Sequence, residues 1–183
     1  MKKLLPLLFV CVAFGYVSNL CAEDSAPAPV YHASIVDSFG KNVISVSGKL
    51  DAEVIKTKKY LFVYFSASWC PPCHTFTPKL VDFYNKNHAN GDFELVFVSL
   101  DKSQGEMNGY MKSAKMPWFG LKLNSKPAQI LKKKCCGSSI PCLLLLDEND
   151  KVVAESHGPG GKYLGSNVAL TAYAKIKKAE KSK

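Results

Sequence analysis

The sequence contains no arginine. All 24 of its basic residues are lysines, set against 15 acidic ones for a formal charge of +9. A guanidinium reads phosphates and base edges through a planar fork, whereas lysine presents only a point charge. The absence therefore argues against nucleic acid as a partner, and the lysines are expected to form a solvated surface. Long hydrophobic runs are also missing: no stretch reaches the roughly 20 apolar residues of a membrane crossing. There is no second C-x-x-C, so a four-thiolate zinc framework has no support in the spacing. No internal repeat and no long low-complexity stretch are visible, and nothing in the sequence calls for a cofactor.

The N-terminus has a recognisable pattern. Lys2 and Lys3 precede an apolar run from Leu4 to Val17, and Ser18 to Ala22 offers a cleavage zone. This is the layout of a secretory signal peptide over residues 1–22, with an uncleaved anchor as the alternative. The protein is accordingly expected in the periplasm or secreted. Residues 23–32 read as a flexible leader, 33–176 as one domain with room for a real core, and 177–183 as a solvated basic tail. Cys11 and Cys21 leave with the signal. Cys70, Cys73, Cys135, Cys136 and Cys142 remain, in a compartment where disulfides persist.

Buried strands are expected at residues 61–66 (LFVYFS), a continuous apolar and aromatic run, and at 94–100 (ELVFVSL), with a third strand at 143–146. Phe76, Leu80, Phe83 and Tyr84 fall at helical spacing after the first strand, and Pro78 inside that helix should kink it. Modest helices are expected near 103–114 and 127–134, and a last one through Val168, Ala172, Tyr173 and Ile176. The turn Asp147-Glu148-Asn149-Asp150 makes residues 151–154 a hairpin partner of the third strand. Residues 31–58 are harder to read, with one more strand expected near Ile44–Val46. The sum is an α/β sandwich with a mixed central sheet flanked by helices.

Between the first strand and its helix lies Trp69-Cys70-Pro71-Pro72-Cys73-His74. The six residues contain C-x-x-C-H, the haem-attachment pattern, and C-x-x-C, a dithiol pair. Haem attachment suits a helical setting and leaves both prolines without a role, so haem is not expected. A dithiol needs a thiolate. Cys70 stands where the strand turns into the helix, facing unpaired backbone N–H groups and the positive end of the dipole. Cys73 follows one turn on, close enough to close a disulfide. Cys70 is thus expected as the exposed nucleophile and Cys73 as the buried resolving thiol.

Trp69-Cys70-Pro71-Pro72-Cys73, Pro78 and the distant Ile140-Pro141 resemble the thioredoxin-like superfamily. Residues 64–73 (YFSASWCPPC), Phe76-Thr77-Pro78 and Lys115-Met116-Pro117-Trp118 are more narrowly similar to its tryparedoxin/nucleoredoxin branch. The resemblance covers about residues 33–155. It implies a thioredoxin fold and thiol–disulfide exchange with protein substrates and an upstream redox partner, carried by a monomer. Within it, Trp69 would shield the site, Pro71 and Pro72 would shape it, and Pro141, cis to Ile140, would pack beside the sulfurs.

Three positions depart from that pattern and are candidate tuning residues. Tyr64 stands where many thioredoxins bury an aspartate, so the usual proton acceptor behind Cys73 is missing. His74 replaces a common arginine; four residues after Cys70, its protonated form would favour the thiolate. Cys142 replaces a common threonine. With Cys135 and Cys136 it offers a second disulfide, a regulatory thiol or metal ligands, against the plainer reading of small packing residues; no metal ligand is assigned. A thiolate metal module using Cys70, Cys73 and one or more of Cys135, Cys136 and Cys142, or a non-catalytic interaction module, are the competing functions.

Overall fold

Residues 29–48, 51–89 and 91–182 are described in a computed structural model. The expected signal peptide and most of the expected leader lie outside the described residues. Strands β2 (Tyr60–Ser66) and β3 (Phe93–Ser99) are buried at every position, Glu94 included, as strands covered on both faces are. They pair in parallel, Phe62 opposite Leu95 and Ser66 opposite Ser99. Around them the sheet runs β1–β4–β3–β2–β5–β6, with β1 (Val43–Ile44), β4 (Phe119–Leu121), β5 (Cys142–Leu146) and β6 (Val152–Glu155). The β3–β4 pair is parallel, and β1–β4, β2–β5 and β5–β6 are antiparallel, so the sheet is mixed.

Alternation along β2 sorts the helices. Tyr60, Phe62 and Tyr64 face α2 (Pro71–Asn87), α3 (Gln104–Ser113) and α5 (Val168–Lys181). Leu61, Val63 and Phe65 face α1 (Ala33–Phe39) and α4 (Lys126–Lys132). Gly120 on β4 permits the close seat of α3, because a Cβ there would stand 2.8 Å from Met107 and Met111. A capping box, Ser103 with Glu106, starts α3. No helix among the described residues is long and apolar enough to cross a membrane.

Both ends of the domain differ from expectation. Helix α5 continues to Lys181, so the expected basic tail is largely helical. Lys177 pairs with Asp92 and Glu180, and Lys59 with Glu180, which ties the last turns to the strand ends. The polar composition of these residues disguises the turn in the sequence, since its partners lie far away along the chain. At the other end, His32 of the expected leader is buried, with Nδ1 2.6 Å from Asp150 Oδ1. The strand expected near Ile44–Val46 is the two-residue edge strand β1, one residue earlier.

Candidate active site

Helix α2 begins at the cysteines for local reasons. Cys70 is its N-cap, in extended conformation, and Pro71 and Pro72 occupy the first turn, where a missing N–H costs nothing. The Cys73 backbone N–H donates to Cys70 Sγ at 3.3 Å. That bond, on a group already at the positive end of the helix, favours a charged sulfur once the pair is reduced. Cys70 and Cys73 are joined by a disulfide across a Cα–Cα distance of 5.3 Å. Pro78 lies inside α2, which runs unbroken past it to Asn87.

Cys70 is as buried as its partner, at 3% and 0% exposure, which corrects the expectation of an exposed nucleophile. Ala67, Leu100 and Ile140 pack around both sulfurs. The loop before β5 supplies the cover: Ile140–Pro141 is a cis peptide, and the Ile140 carbonyl oxygen lies 3.8 Å from Cys70 Sγ. Tyr163 in turn donates to the Pro141 carbonyl at 2.9 Å. Trp69 stands on the surface, 56% exposed, with its indole N–H donating to the Leu100 carbonyl at 3.3 Å. Pro72 and Pro141 line one shallow groove with Phe76 and Tyr163.

Of the three tuning candidates, His74 sits elsewhere than expected, and Cys142 meets Cys135, one of the two cysteines it was grouped with. His74 Nε2 bonds the Ser68 carbonyl at 2.6 Å and its ring packs on Tyr110, so it engages the approach loop and neither sulfur. Cys142 turns to the α1/α4 face, where its sulfur lies 3.3 Å from Cys135. Hydrogen bonding between those two thiols lowers the Cys135 pKa and raises that of Cys142. Tyr64 does stand behind the site. Its hydroxyl lies 2.7 Å from Thr77 Oγ1, which is 2.6 Å from the Tyr110 hydroxyl and donates to the Cys73 carbonyl at 2.8 Å. Burial drives the Tyr64 phenol far above its ordinary pKa, so it stays neutral.

Sequence reasoning missed Thr77, Tyr110, Ser66, Ser68 and Asp101. Asp101 Oδ1 accepts from the Ser68 backbone N–H and from its hydroxyl, both at 2.7 Å, while Ser99 donates to Oδ2 at 2.7 Å. A buried carboxylate thus braces the turn that delivers Cys70. Its only sequence signal is an acidic residue closely following a buried strand, which is also the signal of an ordinary turn.

A thioredoxin-like family model matches residues 58–152, which span the dithiol and the cis proline. The chain is 38% identical to tryparedoxin from Trypanosoma brucei brucei over 107 residues, covering 58% of this chain and 72% of that protein. It is 37% identical to probable nucleoredoxin 1 from Arabidopsis thaliana over 114 residues, 60% of this chain but only 19% of that much longer protein. The solved structure of tryparedoxin II from C. fasciculata superposes with a TM-score of 0.57 at 28% identity, covering 81% of this chain and 94% of that one.

Proposed function

The chain belongs to the thioredoxin-like family, and from that premise we propose that it is an exported protein disulfide oxidoreductase in which Cys70 and Cys73 carry the exchange. The observation that carries this reading is the Cys70–Cys73 disulfide at the start of α2, beside the cis Ile140–Pro141 peptide. In the reducing direction the pair is first opened to a dithiol by an upstream dithiol partner. The Cys70 thiolate attacks one sulfur of a substrate disulfide and expels the other as a thiolate. The resulting mixed disulfide is attacked at Cys70 by the Cys73 thiolate. One substrate dithiol leaves, and the enzyme returns to its own disulfide with two electrons transferred. The oxidising direction is the reverse.

The surroundings assign further roles. Cys70 is buried in the oxidised form, so a substrate reaches it by displacing the Ile140–Pro141 cover or by entering beside Trp69. Exposed Tyr163 offers aromatic surface at the groove for a protein strand, and exposed Trp69 offers more beside Cys70. Tyr64 is neutral and supplies no base for the Cys73 proton.

Reduced wild-type protein should turn over a protein disulfide with a dithiol as reductant, and Cys73→Ser should accumulate mixed disulfides with its partners. Absence of both would end the proposal. Export rests on the sequence of residues 1–22 alone, and cell fractionation with N-terminal sequencing tests it.

A further inference from the structure

We propose that Cys135, Cys142, Glu155 and His157 form a binding site for one Zn2+ ion, separate from the Cys70–Cys73 pair. Three segments converge there: the turn after α4, the first residue of β5, and the end of β6 with the residues after it. One donor atom from each residue lies within 4.8 Å of all the others. The two sulfurs are 3.3 Å apart, and His157 Nδ1 is 3.7 Å from Cys135 Sγ. Around a tetrahedral zinc the donor atoms stand about 3.3–3.8 Å from one another. The cluster therefore needs adjustments of about an ångström or less to close on an ion, the sulfurs opening slightly and the wider pairs contracting.

The site is built rather than accidental. His157 is 3% exposed and Cys142 1%. The imidazole Nε2 is buried without a hydrogen-bond partner, while Nδ1 is turned to the thiols. A glycine is required above the ring: a Cβ on Gly137 would fall 2.1 Å from His157 Cδ2. The Tyr163 ring packs against the imidazole at a centroid distance of 5.4 Å. Glu155 is steered into place by the Cys136 backbone N–H, which donates to Oε2 at 3.1 Å. Two thiolates, one imidazole and one carboxylate form a donor set suited to zinc and poorly suited to magnesium or calcium. Four protein donors fill the coordination shell, which marks a structural site rather than a catalytic one.

The position gives the ion a purpose. Cys135 and Cys142 bracket the loop of residues 136–141, which presents Ile140 and Pro141 to the redox sulfurs. An ion held by both ends of this loop and by the β6 end would clamp it to the sheet. Binding would displace the thiol protons.

The test uses the full chain carrying Cys70→Ser and Cys73→Ser, kept reduced with a phosphine and titrated with Co2+. One equivalent should produce sulfur-to-cobalt charge transfer and the intense visible bands of tetrahedral Co2+, both erased by Zn2+. Cys142→Ser and His157→Gln should each weaken binding at least about tenfold, and Cys136→Ser should leave it unchanged. Because those two positions are buried, Cys135→Ser at a half-buried position repeats the test, with circular dichroism reporting the fold of every variant. Absence of tetrahedral bands in the folded parent overturns the proposal, as does a spectrum lost in Cys136→Ser but kept in Cys135→Ser. A Cys135–Cys142 disulfide, lighter by two hydrogens and inert to Co2+ after reduction, also overturns it and makes the pair a second redox couple.

Discussion

Cys70 and Cys73 meet because three residues of sequence make one helical turn, whereas Cys135 and Cys142 meet because a loop doubles back and a hairpin brings Glu155 and His157 to them. The first pair sits at a helix start, where backbone N–H groups favour a charged sulfur. The second lies between the sheet and the turn after α4, where no helix start serves it and its charge must be met by side chains or an ion. On the proposals above, one sulfur pair exchanges electrons and the other holds an ion.

The sharpest way to break this comparison is chemical. Cys70→Ser should abolish disulfide reduction to background in a turnover assay, while Cys135→Ser should retain most of it; equal losses would erase the division of labour. Next in size is the hydroxyl cluster behind the first pair. Thr77→Val leaves the buried Tyr64 and Tyr110 hydroxyls short of a partner and should cost about 1–3 kcal/mol in urea unfolding. Asp101→Ala strands the Ser68 N–H on the approach to Cys70 and should cost a similar or smaller amount. It should also lower kcat/KM, which Thr77→Val should change less.

High pH tests the same cluster from another side. Burial raises the pKa of Tyr64, so its folded state holds a proton that the unfolded chain gives up near pH 10. Its contribution is complete below about pH 10 and is lost as pH rises from there. Stability measured by denaturant should therefore fall in that window, and less steeply in Tyr64→Phe. Smallest is the end of α5: Lys177→Ala should cost less than about 1 kcal/mol, because its ion pairs with Asp92 and Glu180 are partly exposed.

How much of this could be read in advance follows from distance along the chain. The strands at 60–66 and 93–99, the helix between them and the dithiol at its start each depend on neighbours a few residues away. Periodicity and spacing expose such features, and Ile140–Pro141 was legible through its resemblance to a family pattern. His74 shows where spacing misleads. Four residues from Cys70, it nevertheless turns to the Ser68 carbonyl, a choice made by the loop that Asp101 holds. Tyr64 reads in the sequence as a missing aspartate, but Thr77, which its hydroxyl meets, and Tyr110, which Thr77 meets in turn, come from two helices and leave no joint mark there.

By itself, the sequence determined a mixed α/β fold and a redox pair at a strand-to-helix junction, because alternation, proline placement and a two-residue spacer act locally on the backbone. Only the tertiary structure decided that Cys70 is covered, that α5 runs to Lys181, and that Glu155 and His157 join Cys135 and Cys142. Those outcomes depend on which residues distant in sequence share a face of the sheet, and that is settled when the layers pack.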